Sequence, residues 1–196
     1  MRRVLLALLT CLAVSLPVAP GPVAALPADL PAAPRKAVPT KKQWLADVNR
    51  VMRGAGTWLD ARVAEADPEA RLAINLDIDN STLMTYYAKG RPIPRVKAWT
   101  QRARRLGVTL VFNTARLPRM RPRTVRELTR AGYDIGRLCF REQGEGKVGG
   151  KTRCRASFIE QGFTIIANVG NNDTDFAGAR NYGRAFRLPN YRGQLG

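Results

Sequence analysis

Leu72-Ala73-Ile74-Asn75-Leu76-Asp77-Ile78-Asp79-Asn80-Ser81-Thr82 is the stretch that decides the fold. Leu72 to Leu76 is a short apolar run suited to a strand buried on both faces. Two carboxylates follow at positions i and i+2, so both leave the strand end on the same side and can face one ligand. One carboxylate of such a pair can attack an electrophile while the other handles the leaving group's proton. An Asx-rich turn without function has the same composition, because Asp and Asn favour turns. The choice between these readings rests on what the rest of the chain supplies.

Similar runs recur along the sequence. Val108 to Phe112, Ile135 to Phe140 and Phe163 to Val169 read as strands, with Arg184 to Leu188 as a short fifth. Between them Pro94 to Arg105, Arg119 to Ala131 and Lys151 to Gln161 read as helices. Ahead of the first strand, Lys41 to Ala66 reads as one helix, with Trp44, Leu45, Val48, Val51 and Met52 spaced by three and four. Gly54 and Gly56 weaken its middle, and Asp67-Pro68 ends it. Strands alternating with helices predict an α/β fold, a parallel sheet with helices on both faces. In such folds ligands bind beyond the carboxyl ends of the strands. Polar residues cluster there: Asp77 and Asp79, then Asn113 and Thr114, then Asn171, Asp173 and Asp175.

Composition narrows the chemistry. The sequence has no histidine, which excludes histidine phosphatases, Ser-His-Asp hydrolases and typical zinc hydrolases, since each needs an imidazole. Catalysis then runs on carboxylates, lysine, hydroxyls or a hard metal ion. The net charge of +18 suits nucleic acid, acidic polymers or phosphorylated substrates. It suits equally a solvated surface in an arginine-rich proteome, because no aromatic-interleaved basic repeat accompanies it.

The amino terminus has the layout of a secretory signal peptide. Met1-Arg2-Arg3 precedes an apolar run from Val4 to about Leu16, prolines follow, and Val23-Ala24-Ala25 offers small residues for cleavage. We therefore expect a signal peptide over residues 1–25, an Ala/Pro-rich lead over 26–40 and one domain over 41–196. Export, with no membrane attachment after processing, is the corresponding localisation. Cys139 and Cys154 lie beyond the signal peptide; an exported chain with two cysteines favours a disulfide over two buried thiols.

Four ordered segments carry a closer likeness. Asp77-Ile78-Asp79-Asn80-Ser81 resembles the first motif of the haloacid dehalogenase (HAD) superfamily, Asp-x-Asp-x-Thr. Val111-Phe112-Asn113-Thr114-Ala115-Arg116 resembles the second, an apolar strand ending in Thr or Ser. Lys151, opening a helix, fits the third motif's lysine. Val169-Gly170-Asn171-Asn172-Asp173-Thr174-Asp175 resembles the fourth, an acidic turn after the last core strand. The helix from Lys151, the strand from Phe163 and the ending Phe186-Arg-Leu-Pro-Asn-Tyr are most similar to the secreted acid phosphatases, related to the class B and plant groups.

The resemblance implies a Rossmann-like core and a Mg²⁺-dependent phosphomonoesterase. Asp77 would attack phosphorus and form an aspartyl-phosphate. Asp79 would protonate the leaving oxygen and then activate water. Thr114 would bind a phosphoryl oxygen, Lys151 would neutralise charge, and Ser81, Asn113 and Arg116 would line the substrate site. Arg116 is also suited to a plain salt bridge. Mg²⁺ would be held by Asp77, the Asp79 carbonyl, Asn171 and Asp175. Two positions depart from the pattern: Asn171 stands where the motif has Asp, and Ser81 where it has Thr. A protein that binds phosphate esters without turnover is the alternative. Lys147, in the glycine-rich stretch Gly144 to Lys151, rivals Lys151; that stretch reads as a flexible loop. Between the first and second motifs there is little room for a cap, so the cap is minimal. The site is then open, or covered by a partner subunit of a homo-oligomer. Tyr86, Tyr87 and Arg91 are candidates to contact the leaving group of a small phosphomonoester.

Overall fold

The computed structural model describes residues 38–195. The expected signal peptide over 1–25, and the expected lead over 26–40 up to residue 37, lie outside the described residues. Two helices come first, α1 (Lys41–Val51) and α2 (Ala55–Ala64). Thr40 caps α1 in a capping box with Gln43. The single helix expected from Lys41 to Ala66 is therefore two. Gly54 adopts a left-handed backbone at φ 71°, and the chain restarts there.

Five parallel strands follow in the order β3-β2-β1-β4-β5: β1 (Arg71–Leu76), β2 (Thr109–Thr114), β3 (Arg137–Phe140), β4 (Phe163–Gly170) and β5 (Arg184–Arg187). Helices α3 (Pro94–Arg105), α4 (Arg121–Arg130) and α5 (Lys147–Glu160) connect them. Alternation along the strands sorts the core. Leu72, Ile74 and Leu76 of β1 and Leu110 and Phe112 of β2 face the side packed by α1 to α4. Ala73 and Val111 face the other side, against Cys154 and Phe158 of α5. With both faces covered, the strand interiors are apolar throughout, which is why they read as continuous runs rather than alternations.

One boundary differs from expectation in a way that matters for the site. Helix α5 begins at Lys147, a full turn before Lys151. The stretch expected as a flexible loop therefore contributes the helix's first turn. Gly150 is buried there, and a Cβ at that position would press on the Arg141 and Glu145 side chains, at 2.9 and 3.0 Å. The Cys139–Cys154 disulfide joins β3 to α5. No described helix is long and apolar enough to cross a membrane.

Candidate active site

The carboxyl ends of β1, β2 and β4 converge. Asp77 follows β1 directly; its N–H donates to Val169 of β4 at 2.9 Å, and its carbonyl accepts from the Thr82 hydroxyl at 2.5 Å. Asn80 then takes a left-handed backbone at φ 55°, a conformation Asn tolerates. Its side chain donates to the Leu195 carbonyl and accepts from the Tyr86 N–H, at 2.5 and 2.8 Å. This turn brings Asp77, Asp79 and Ser81 to one mouth.

Asp77 is nearly closed off from solvent at 7% exposure. One carboxylate oxygen accepts from Lys151 Nζ at 2.5 Å and the other from the Ser81 hydroxyl at 2.8 Å. Lys151 is 3% exposed, and all three of its donors are used: on Asp77, on the Asn113 carbonyl at 2.6 Å and on Asp175 at 2.8 Å. Lys147, by contrast, lies exposed at the start of α5. The other Asp175 oxygen accepts from the Asn171 and Asn172 N–H groups, at 3.0 and 2.9 Å. Gly170 permits this, since a Cβ there would overlap the Asp175 carboxylate.

Burial, then the nearby Asp175 charge, push the Asp77 carboxyl up to about 7, with Lys151 opposing. For Lys151, burial favours loss of the proton, but Asp77 and Asp175 outweigh it and hold the ammonium above its ordinary value.

Asp79 is more open, its side chain 38% exposed, and lies in another setting. Arg116 grips both of its oxygens, at 2.7 and 2.9 Å, and the Thr85 hydroxyl donates at 2.7 Å. Burial alone would raise Asp79, but the Arg116 bonds and charge hold it below the usual carboxylate range. Arg116 itself is fixed from behind by Glu127 at 2.7 Å and Thr124 at 3.0 Å, both on α4. The remaining expected residues, Thr114 and Asn113, are both buried at the end of β2. Thr114 accepts from the Arg116 N–H at 3.2 Å. Asn113 donates to the Lys151 carbonyl at 2.8 Å.

Ser81 marks a small nest of oxygens. Its hydroxyl lies 2.8 Å from Asp77 Oδ2, 3.2 Å from Asn171 Oδ1 and 3.5 Å from the Asp79 carbonyl. Asp77 Oδ2, Asn171 Oδ1 and the Asp79 carbonyl, gathered about Ser81, are hard oxygen donors of the kind a divalent cation takes. The set carries one formal negative charge, since Asn171 and the carbonyl are neutral. Asp175, expected as a further ligand, has its oxygens on Lys151 and two backbone amides. Asn171 Nδ2 and Asn113 Oδ1 are buried without hydrogen-bond partners among the described residues.

Several contributors escaped the sequence reading. Thr85 and Glu127 act on Asp79, directly and through Arg116. Asn168 and Arg155 donate to the Asp175 carbonyl, at 2.8 and 3.1 Å. Glu127 had a detectable signal, as the one acidic residue in the strongly basic α4.

A parallel α/β sheet whose central strand ends in two carboxylates, with a buried lysine and a fourth-strand acidic turn, defines a HAD-type protein. Comparison with known proteins narrows this further. The model of HAD superfamily subfamily IIIB (acid phosphatase) matches residues 87–194, more than half of the sequence. The chain belongs to that family. The matched segment contains Thr114, Arg116, Lys151, Asn171 and Asp175, while Asp77 and Asp79 precede it. Acid phosphatase 1 of Solanum lycopersicum is 33% identical over 94 residues, 46% of this chain and 37% of that protein. The chain thus spans little more than a third of that relative's length. The class C acid phosphatase from Bacillus anthracis with tungstate bound shares the fold, with TM-score 0.62, 19% identity and coverage of 77% of this chain and 79% of the other. Another structure of the class C enzyme from that organism aligns with TM-score 0.59 and 18% identity over the same shares.

Proposed function

We propose that this protein is an exported phosphomonoesterase that uses Mg²⁺ and forms an aspartyl-phosphate on Asp77. The observation that carries the reading is the Asp77 carboxylate, buried at a strand end and held by Lys151 at 2.5 Å beside a separate, arginine-clamped Asp79. HAD-family phosphatases generally use a divalent metal. The Asp77 carboxylate, the Asp79 carbonyl and Asn171 would hold it, and it would supply positive charge against the repulsion between a phosphate dianion and Asp77.

The chain's own residues account for the remaining steps. An Asp77 oxygen bonds to phosphorus as the bond to the leaving oxygen breaks. Asp79, kept ionised at rest by Arg116, must first take up a proton as the substrate binds and then passes it to that oxygen. Asp79 then takes a proton from water, which attacks phosphorus, frees inorganic phosphate and restores the Asp77 carboxylate. Lys151 carries the positive charge that steadies Asp77 and the incoming phosphoryl oxygens, and Thr114 offers them a hydroxyl. Residues 1–25 would direct export and leave a protein free of the membrane.

Purified protein given an aryl phosphate should release phosphate with Mg²⁺ and stop in EDTA. Turnover that persists in EDTA would remove the metal from this account. A second reading, phosphate-ester binding without turnover, is favoured by the single formal charge of the oxygen nest. Calorimetric Mg²⁺ titration separates the two: the phosphatase reading expects saturable binding, tightened by Asn171→Asp, whereas a binder of this kind needs no metal.

A further inference from the structure

A second cluster of charge lies beside the Asp79 side of the site. A cleft of about 620 Å³ opens between the segment after β1 and helix α4, lined by Lys89, Gly90, Arg91, Pro92, Glu127 and Arg130 among others. Lys89, Arg91 and Arg130 are exposed, and no ion pair joins any of them to an acid among the described residues. Glu127 does not cancel them, because one of its oxygens accepts from Arg116 at 2.7 Å and the other from Arg123 at 2.8 Å. The cleft is therefore a cationic wall with its one carboxylate already neutralised.

Its position follows from the chain path. Leu83 bridges Pro92, and the Met84 N–H donates to the Arg91 carbonyl at 2.7 Å. The turn so closed presents Thr85 to Asp79 on its outgoing limb and carries Lys89 and Arg91 on its returning limb. On the opposite wall, Glu127 grips the same Arg116 that clamps Asp79. Asp79 is the residue that serves the leaving group, and the cleft lies on the far side of the Arg116 guanidinium from it, one side chain away.

Resting on the phosphatase reading, we propose that the cleft is a subsite for a second oxyanion carried by the leaving group. The preferred substrates are then small bisphosphates, or phosphomonoesters bearing a sulfate, rather than esters of neutral alcohols. Lys89, Arg91 and Arg130 supply charge-assisted hydrogen bonds to that distal group. The transferred phosphoryl group keeps its own partners, Lys151 and Thr114. The distal anion gains nothing from them, so the two ends of the substrate are recognised independently.

The test uses the full mature chain carrying Asp77→Asn, so that ligands are bound and not consumed. Dissociation constants are measured by calorimetry for fructose 1,6-bisphosphate and fructose 6-phosphate, with Mg²⁺ present. The bisphosphate should bind roughly tenfold tighter or more, well beyond the twofold statistical advantage of two phosphates. Lys89→Glu with Arg130→Glu should reduce the ratio to about twofold or less and leave fructose 6-phosphate binding within about twofold. Lys42→Glu with Arg53→Glu, on α1 and just after it, makes the same change in net charge away from the cleft and should preserve the preference. Equal binding of the two sugars overturns the subsite and leaves the phosphatase reading intact. A preference that survives the cleft reversal, or that the control pair also abolishes, overturns it too. If neither sugar binds, the phosphate site itself is wrong and the subsite falls with it.

Discussion

Asp77 and Asp79 stand two residues apart at one strand end and meet opposite surroundings. Asp77 is sealed among Lys151, Ser81 and the Asp175 loop, and burial raises its carboxyl to about 7. Asp79 faces the open side, and Arg116 holds its carboxyl below the ordinary range. The same residue type thus receives two environments from one turn. On the Asp77 side, two buried carboxylates, Asp77 and Asp175, share one buried cation, Lys151. On the Asp79 side, charge is set by a guanidinium braced from helix α4. Separating two like groups in this way is how a site gives them distinct roles.

The largest effect should come from removing the cation on the Asp77 side. Lys151→Met leaves Asp77 and Asp175 buried without their shared partner. Turnover should fall about 10²- to 10³-fold, the scale of losing one preorganised donor. Stability to denaturant should drop by about 3–5 kcal/mol, the scale of breaking a buried ion pair. A fully stable Lys151→Met protein would break the contrast drawn between the two sides.

On the Asp79 side, Arg116→Met should lower kcat about 10- to 100-fold, less than the ~10²- to 10⁴-fold a positioned general acid contributes, because Asp79 is misplaced and not removed. The loss should be larger for alkyl phosphates, whose leaving oxygens need the proton, than for nitrophenyl phosphate. Equal losses for both would show that Arg116 acts on the phosphoryl group instead of through Asp79.

The disulfide anchors the helix that delivers Lys151. Replacing Cys139 and Cys154 by Ser opens a cross-link of sequence separation 15. Chain entropy sets the expected loss at about 3 kcal/mol in a denaturant titration. Activity under native conditions should fall far less than in Lys151→Met, because Lys151 keeps its three partners.

The smallest effect concerns pH. Between the ordinary carboxyl value of 3.8 and about 7, the folded protein keeps a proton on Asp77 that the unfolded chain has released. Stability from this group therefore falls as the pH rises through that window. In EDTA, Asp77→Asn should melt about 2–5 °C above the wild type at pH 8, a shift on the order of 1 kcal/mol. The difference should shrink as the pH is lowered towards 4. A variant that melts lower at pH 8 would place Asp77 in a more polar setting than described.

Much of the fold was legible because a sheet covered on both faces writes each strand as an unbroken apolar run. β1, β2 and β4 read directly from that, and Pro94–Arg105 matched α3 at both ends. The α1–α2 break was legible only as weakness, since Gly54 and Gly56 are compatible with a helix until the backbone takes the left-handed turn. The start of α5 differs from expectation because the four glycines between Gly144 and Lys151 suggest a loop. Packing against Arg141 and Glu145 requires Gly150 inside the helix instead. At the candidate site, Asp77, Asp79, Thr114, Lys151 and Asn171 were legible as candidates because they occupy strand ends or a helix face at fixed order. Thr85 and Glu127 were not, because their roles depend on which side chain Arg116 meets, and that is a long-range contact. The Asp175 carboxylate likewise bonds to Lys151 and two amides, a fact that depends on Gly170 admitting it so closely.

The central claim is that Asp77 accepts the phosphoryl group. Wild-type protein turning over an aryl phosphate with Mg²⁺ should be quenched in acid and its peptides analysed by mass spectrometry. The account predicts a phosphorylated peptide whose modified residue is Asp77, absent from Asp77→Asn, which should be folded and inactive. Phosphate on a different residue, or an Asp77→Asn protein that still turns over, would contradict it.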